Sequence, residues 1–436
     1  MHHLPKIRAF LRNKRGNVAI IAALTMLPIS MAVGMGVDYT LATRKQDQIN
    51  GLADGAALSA VTPTAMDEPA DTAAASAKAM FLAQIATVPN VTYSPSSVTA
   101  TATDTTVGAE VTRNVTVSYT AGSPNVFSTL LGMDAFNIAG TSSAKSALAP
   151  RTDFYMLLDT SPSMAIAATS AGIATMVANT ASQSGCAFGC HETNPSADHL
   201  GNPGGEDNFA LARNLGVPLR IDLVNQATQN LMSVAQVTAT QNNTVYRAAI
   251  YTMDYNFNTL QPLTGSLSTA ATAAANIQQV EVYDNNCLTS GNCNHDEDSY
   301  LDGGLNNVNS IMPNPGNGSA NPGDTPQEVV FIVSDGVDDE LLGGSRVMAP
   351  INTRASWCDT IKARGIRIAF LYLTYNPLPT NAFYNANIAP FQSQIATDAQ
   401  NCASTGLFFQ VNTDDDVSAA MNTLFQKVVS TAHLTH

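Results

Sequence analysis

Hydrophobic and polar positions follow three different patterns along the chain. Residues 17–37 carry no charged side chain, residues 90–147 alternate apolar with polar positions, and short apolar runs separated by longer amphipathic stretches follow from Arg151. These patterns predict a membrane-spanning helix, a small β-containing domain, and an α/β domain whose strands and helices alternate. We therefore expect three regions, 1–37, 38–150 and 151–436.

The first apolar run reads NVAIIAALTMLPISMAVGMGV, 21 residues without a charge. At about 1.5 Å per residue this helix is roughly 30 Å long, which is enough to cross a bilayer core. Five basic residues precede the run and Asp38 follows it, which places the N-terminus in the cytoplasm. The alternative is a cleaved secretory signal. We favour a retained anchor because the run is longer than a signal core and lacks an A-x-A exit.

Beyond the anchor, apolar residues continue at roughly helical spacing, namely Val37, Leu41, Ile49, Leu52, Ala56 and Ala57. This spacing predicts an amphipathic arm that continues the helix past the membrane. The arm packs either against other subunits, as in pilins, or against the next domain of its own chain. In that domain, Val115, Val117 and Tyr119 alternate with polar residues, which predicts a half-buried strand.

Charge and cysteine content narrow the class of protein. The formal net charge is −14, and the chain beyond its basic N-terminus is more acidic still. An acidic protein of this kind repels nucleic acid, and the sequence contains no basic patch that would bind it. The cysteines lie in sequence as three local pairs, which suits disulfides in an oxidising compartment: Cys186 and Cys190, Cys287 and Cys293, Cys358 and Cys402. Local pairing is the simplest of the possible connectivities.

Oxygen-bearing side chains cluster after two apolar runs. FYMLLDTSPSM reads as a strand buried on both faces that ends in Asp159, Ser161 and Ser163, and VVFIVSDG reads as a second strand that ends in Asp335. Ser299 precedes a Gly-Gly-Leu helix start in SYLDGGL. Carboxylate and hydroxyl oxygens are ligands that Mg²⁺ prefers, although Ser and Asp are also the residues that cap helices and form turns.

From Arg151 onward the chain resembles the von Willebrand factor A domain, whose metal-ion-dependent adhesion site combines D-x-S-x-S, a downstream Thr and a later Asp. The resemblance implies a doubly wound, mainly parallel sheet and a bound Mg²⁺, or else Mn²⁺ or Ca²⁺. It implies as ligands, direct or through water, Asp159, Ser161, Ser163, Ser299 and Asp335. The chain departs from the family pattern at Pro162, where Gly is usual, and at Ser299, where Thr is usual.

Two insertions interrupt this domain. The first, about residues 165–219, contains GCAFGCHETN, whose spacing does not match a c-type haem motif. Cys186, Cys190 and His191 are a possible zinc set, but an oxidising compartment favours a disulfide-closed loop. The second insertion, Asp284–Asp298, is expected to be a hydrated acidic loop rather than a Ca²⁺ site. Between the two, Asp254 follows a predicted strand, either as an acid that supports the metal site or as a solvated loop end.

Residues 1–60 resemble the TadG-like proteins of tight-adherence (Flp) pilus systems. The shared features are an Arg-Gly pair, an apolar anchor, Val-Asp-Tyr and an Ala-rich amphipathic helix, here within KRGNVAII to ADGAALSA. The CAFGCH string also resembles an insertion found in many TadG-like A domains.

Together, the two resemblances imply a single-pass protein of the bacterial inner membrane with most of its chain in the periplasm. It would bind other pilus-assembly or envelope proteins through its metal site, without a nucleic acid or a small-molecule substrate. The alternative is a surface adhesin that uses the same site on host or matrix ligands. We do not expect an enzyme, because the sequence shows no familiar nucleophile, zinc-hydrolase, P-loop or dinucleotide motif.

Overall fold

The computed structural model describes residues 16–107, 110–181, 185–189, 207–280, 282, 299–342, 345–375, 377–379, 382–412 and 414–429. The chain divides into two compact units: the first comprises the described residues up to Thr105 together with Thr112–Ala147, and the second comprises Thr106–Val111 together with the described residues from Leu148 onward. Each unit is described by itself.

The first unit combines helices with a three-stranded sheet of order β1-β2-β3. Its elements are α1 (Gly16–Ser59), α2 (Pro63–Met66), α3 (Ala70–Ile85), β1 (Thr92–Val107), β2 (Glu110–Pro124) and β3 (Ala135–Leu148). A 3-10 turn, Ser128–Leu131, lies between the last two strands.

Helix α1 has two halves with different surroundings. Residues 20–30 are all exposed, whereas from Gly34 onward buried positions recur at helical spacing. The buried positions, such as Ile49 and Ala53, pack with α3 and with strand residues such as Val115. The arm therefore packs against its own chain, the second of the two interpretations. In the part of the chain that is described, α1 is the one helix long and apolar enough to cross a membrane.

The second unit is built on a six-stranded sheet of order β11-β10-β7-β4-β5-β6. All neighbouring strands are parallel except β6, which is antiparallel to β5. The strands are β4 (Thr152–Asp159), β5 (Tyr246–Met253), β6 (Phe257–Thr264), β7 (Gln327–Ser334), β10 (Arg367–Leu373) and β11 (Phe408–Val411). A separate hairpin consists of β8 (Val337–Leu342) and β9 (Ser345–Pro350).

Helices cover both faces of this sheet because alternate residues of each strand point to opposite sides. The helices of this unit are α4 (Ser170–Asn179), α5 (Asn208–Asn214), α6 (Arg220–Gln241), α7 (Leu267–Ala274), α8 (Leu301–Ile311), α9 (Trp357–Ala363), α10 (Ala382–Asn387), α11 (Gln392–Cys402) and α12 (Val417–Val429). From β4, Met156 and Leu158 pack on the side of α6, α7 and α12. Tyr155 and Leu157 pack on the side of α8, α9 and α11. The doubly wound, mainly parallel architecture expected from the sequence is confirmed.

Buried charges lie at the amino-terminal edge of the same sheet. Asp153 on β4 is paired in register with Arg247 on β5 and with Glu328 on β7. The Arg247 side chain donates to Asp153 at 2.7 Å. Burial, reinforced by the negative charge of Asp153, raises the pKa of Glu328 to about 8. Folding thus favours the protonated form of Glu328.

This pKa makes the stability of the second unit depend on pH. The folded state holds the Glu328 proton up to about pH 8, while an ordinary glutamate loses it near 4.5. Folding stability therefore falls as pH rises through this window. We expect Glu328→Gln to raise the thermal midpoint more at pH 8 than at pH 5. Trp357, the single tryptophan, reports on this unit by fluorescence in the detergent-solubilised chain. Glu68→Gln, at an exposed site in the first unit, is the control, and equal gains at both pH values would contradict the assignment.

Candidate metal centre

The predicted site residues lie at the carboxyl edge of the six-stranded sheet. The chain runs from β4 to β5 on one side and later returns to β7 on the other, so connections diverge at the ends of β4 and β7. Open α/β sheets bind ligands at such a point. Leu158 is paired with Val333, and Asp159 ends β4 while Asp335 follows β7 directly. The fold therefore brings together two acids that are far apart in sequence.

The D-x-S-x-S segment forms a tight turn around Asp159. Asp159 Oδ1 accepts a hydrogen bond from the backbone N–H of Ser161 at 2.9 Å, and the hydroxyls of Ser161 and Ser163 are 3.1 Å apart. Pro162 begins a 3-10 turn, Pro162–Ala165. Proline is suited to the first position of a helical turn because its fixed φ is already helical and no N–H is needed there. The departure from Gly at this place is therefore compatible with the turn.

Asp159 and Asp335 are both fully buried. Burial, together with the neighbouring charge of Asp335, raises the pKa of Asp159. Burial also raises the pKa of Asp335, although Arg220 and the Ser163 hydroxyl oppose the rise. Ser334 Oγ donates to Asp159 Oδ2 at 2.7 Å. The metal-free site therefore disfavours two negative charges, because water does not screen them.

One cation partly balances the two acids. Arg220, the first residue of α6, is buried, and its Nη1 lies 3.7 Å from Asp335 Oδ2. Its Nη2 donates to the carbonyl of Thr374 at 2.6 Å. No role was predicted for this arginine from the sequence. Its position directly after the first insertion, at the start of a long helix, was the available signal.

Ser299 is positioned through the strand that follows Asp335. Its N–H donates to the carbonyl of Asp339 at 2.8 Å, and its hydroxyl donates to the carbonyl of Val337 at 3.0 Å. The N–H of Val337 in turn donates to Asp335 Oδ1 at 3.3 Å. Asp159, Ser161, Ser163 and Asp335 interact with one another, whereas Ser299 is linked to them through Val337.

Asp254, which directly follows β5, supports the D-x-S-x-S loop. It is buried, and its Oδ2 accepts a hydrogen bond from the Thr160 hydroxyl at 2.9 Å. Its Oδ1 accepts from the N–H of Asn256 at 2.9 Å. The acid therefore holds the residue between Asp159 and Ser161, and it is not a solvated loop end. Neither Thr160 nor Ser334 was singled out from the sequence, because short hydroxyl side chains at strand ends carry no distinctive pattern.

The cysteine predictions have different outcomes. Cys358 on α9 and Cys402 on α11 form a disulfide. Cys190, Cys287 and Cys293 lie outside the described residues, so their pairings, including that of Cys186 with Cys190, stay predictions. His191 and the acidic segment Asp284–Asp298 also lie outside the described residues.

The donor set at the carboxyl edge fits a hard divalent cation. Two buried acidic groups lie near one arginine, and a divalent cation would favour the ionised form of both. The hydroxyls of Ser161 and Ser163 supply neutral oxygens beside them. Mg²⁺ and Mn²⁺ prefer carboxylate, hydroxyl and water oxygens.

Comparison with known proteins finds a family match for the N-terminal segment. The second unit has the sheet expected of a von Willebrand factor A-like domain. Residues 16–77 match the family model described as "Putative Flp pilus-assembly TadE/G-like". The TadG-like resemblance of the N-terminal segment is thereby confirmed. None of the curated proteins matches the sequence.

Solved structures with a similar arrangement include BatB from Bacteroides thetaiotaomicron, at 11% identity and a TM-score of 0.34, over 64% of this chain and 98% of that one. The vWF domain of the type V pili tip protein Mfa5 from Porphyromonas gingivalis has 11% identity and a TM-score of 0.36, over 66% and 98%. Proximal thread matrix protein 1 from the mussel byssus, with a zinc-occupied MIDAS motif, has 12% identity and a TM-score of 0.33, over 64% and 46%. At such TM-scores the similarity carries no argument about this chain.

The position of Arg220 leads to a prediction for the metal-free protein. Arg220→Gln leaves Asp335 buried without its cation, which costs about 3 kcal/mol at pH 8 by analogy with broken buried ion pairs. The loss should be smaller at lower pH, because burial raises the pKa of Asp335 and protonation removes the charge that Arg220 balances. The measurement is the fluorescence melt of Trp357 in EDTA. Arg213→Gln is the matched control because its pair with Asp222 is partly exposed, and it should cost less than about 1 kcal/mol. Equal losses for the two variants would remove the proposed role of Arg220.

Proposed function

We propose that this protein is a membrane-anchored envelope component of a tight-adherence (Flp) pilus-assembly system. Helix α1 holds it in the bacterial inner membrane, and the two folded units lie in the periplasm. The second unit binds other pilus-assembly or envelope proteins through a metal-ion-dependent site. The observation that carries the proposal is the family match over residues 16–77, which covers the exposed apolar half of α1 and its packed continuation.

The anchoring role rests on the two halves of α1. Every residue from Ile20 to Ser30 is exposed, and this stretch contains large apolar side chains such as Leu24 and Leu27. A helix that is apolar on all sides and has no protein around it is stable in a bilayer, because the lipid tails solvate its apolar surface. The Cys358–Cys402 disulfide supports a compartment outside the cytoplasm.

The binding role rests on the acids at the sheet edge. A divalent cation would be held by Asp159, Ser161, Ser163, Ser299 and Asp335, directly or through water, and when bound it offers its open coordination position to a carboxylate of a partner. The protein's own residues hold the donors in place. Ser334 orients Asp159, and Asp254 holds Thr160 between the first two ligands. These contacts support a binding site, and we propose a binding protein rather than an enzyme.

The first test of this function concerns the metal. One bound Mg²⁺ or Mn²⁺ should stabilise the second unit by about 2.7 kcal/mol at a hundredfold excess over Kd. Asp159→Ala should abolish this gain while the metal-free fold survives, because it removes a charged donor from the strand end. Asp335→Ala should reduce the gain less if that carboxylate reaches the ion through water. Trp357 fluorescence melts with and without metal are the measurement.

The control for the metal test is Asp359→Ala, since the Asp359 side chain is 62% exposed and pairs with Lys362 on its own helix at 3.2 Å. This variant should keep the full gain. An unchanged wild-type melt at millimolar metal would contradict the proposed metal site at this edge.

The second test concerns orientation. Because five basic residues precede the charge-free run, a reporter that fluoresces only in the cytoplasm should stay dark when fused after Ala60. The same reporter fused before residue 16 should be bright and serves as the control. A bright fusion after Ala60 would overturn the periplasmic placement of both units.

A further inference from the structure

The first unit presents a short loop of exposed apolar side chains, Val126–Met133, which we call the apolar loop. It reads VFSTLLGM and contains no charge. The exposed fractions are 66% for Val126, 47% for Phe127, 76% for Leu130, 44% for Leu131 and 37% for Met133. A contiguous apolar surface of this kind on an ordered unit indicates a partner.

The apolar loop is fastened to α1 at one place. The buried carboxylate of Asp38 accepts hydrogen bonds from three consecutive backbone N–H groups, those of Val126 at 3.0 Å, Phe127 at 2.9 Å and Ser128 at 2.6 Å. Burial alone would raise the pKa of Asp38, but these hydrogen bonds outweigh it and lower the pKa to about 2. The carboxylate is therefore charged at any physiological pH.

Gly34, one turn earlier on α1, fixes the same contact. A Cβ at this position would lie 2.6 Å from the Cβ of Phe127, so the phenylalanine packs directly against the helix backbone. The turn is also closed at its base, where the Asn125 side chain donates to the carbonyl of Met133 at 2.9 Å. The exposed apolar side chains are thus held outward by an ordered turn.

The contact of α1 with the apolar loop fixes the level of the loop along the helix, and so its depth relative to a bilayer that α1 spans. Gly34 and Asp38 bracket the end of the charge-free run, which closes at Val37. Residues 20–30, immediately before, are exposed on every side. If the run spans a bilayer, its last turn lies at the outer boundary of the apolar core, and the apolar loop lies beside it at the same level.

We propose that the apolar loop inserts into the interfacial layer of the same bilayer that α1 spans, on the side where the folded units lie. This inference rests on the proposed anchoring function. Several polar atoms of the loop already have partners, which lowers the cost of insertion: its first three N–H groups bind Asp38, and the Thr129 hydroxyl donates to the carbonyl of Val126 at 3.0 Å. Helix and loop then form two adjacent attachments that restrict the tilt of the first unit.

The test uses the full chain in phosphatidylcholine and phosphatidylglycerol vesicles. In a Trp357→Phe background, which removes the native tryptophan, Leu130→Trp places a fluorophore on the loop. Its emission should be shifted to shorter wavelength and quenched about twofold by lipids brominated near the headgroup end of the acyl chain, as for a ring about 5–10 Å deep. Val126→Trp should behave in the same way, which guards against a local defect in one variant.

Thr64→Trp is the control, because Thr64 is exposed and lies beyond the far end of α1. It should emit at long wavelength and not be quenched. Vesicle flotation separates the possible failures. If the protein floats but neither loop tryptophan is quenched, the anchor stands and the loop inference is wrong. A blue-shifted, unquenched loop tryptophan would mean that protein, not lipid, covers the loop. If the protein does not float, both the anchor and this inference fail.

Discussion

The burial of two carboxylates at one edge of a parallel sheet is the constraint on which the second unit depends. Asp159 and Asp335 come together because β4 and β7 are neighbours in the sheet, and burial prevents water from screening their charges. The nearby polar groups reduce this cost. Ser334 donates to one acid and Arg220 lies beside the other. A bound cation would offset the remaining cost of burying the two acids. The arrangement that destabilises the metal-free fold would therefore favour metal binding at this edge.

Arg220 supplies a positive charge beside Asp335 even when no metal is bound. Arginine is always charged in proteins, so one positive charge remains next to Asp335 whether or not an ion is bound. Its second nitrogen is held by the Thr374 carbonyl, so the guanidinium cannot turn fully toward the acids without losing that bond. The arginine therefore balances only part of the negative charge of the two acids, and a divalent cation would balance the rest. A bound ion would add to an arrangement that is already folded.

In the first unit, a single helix passes between two environments. Its early turns are exposed and apolar, and its later turns bury small residues such as Ala53 and Ala57 against their own domain. Asp38 marks the change. The Val-Asp-Tyr feature noted in the sequence thus acquires a physical role, because this carboxylate holds the turn that carries the apolar loop. Nothing in the local pattern around Asp38 indicated a partner some 90 residues away.

The sequence by itself determined the elements whose signal is local. The charge-free run predicted the long helix, the continuous apolar runs predicted buried strands, and the acids that end those strands predicted the candidate site at Asp159 and Asp335. Only the tertiary structure shows which residues from distant parts of the chain come together. Arg220 lies beside Asp335, Asp254 accepts a hydrogen bond from Thr160, and Ser299 is linked to the site through Val337. The arm of α1 packs on its own domain. Periodicity records which face of an element is buried, whereas the choice of partner depends on strand order and loop geometry, which have no local signature.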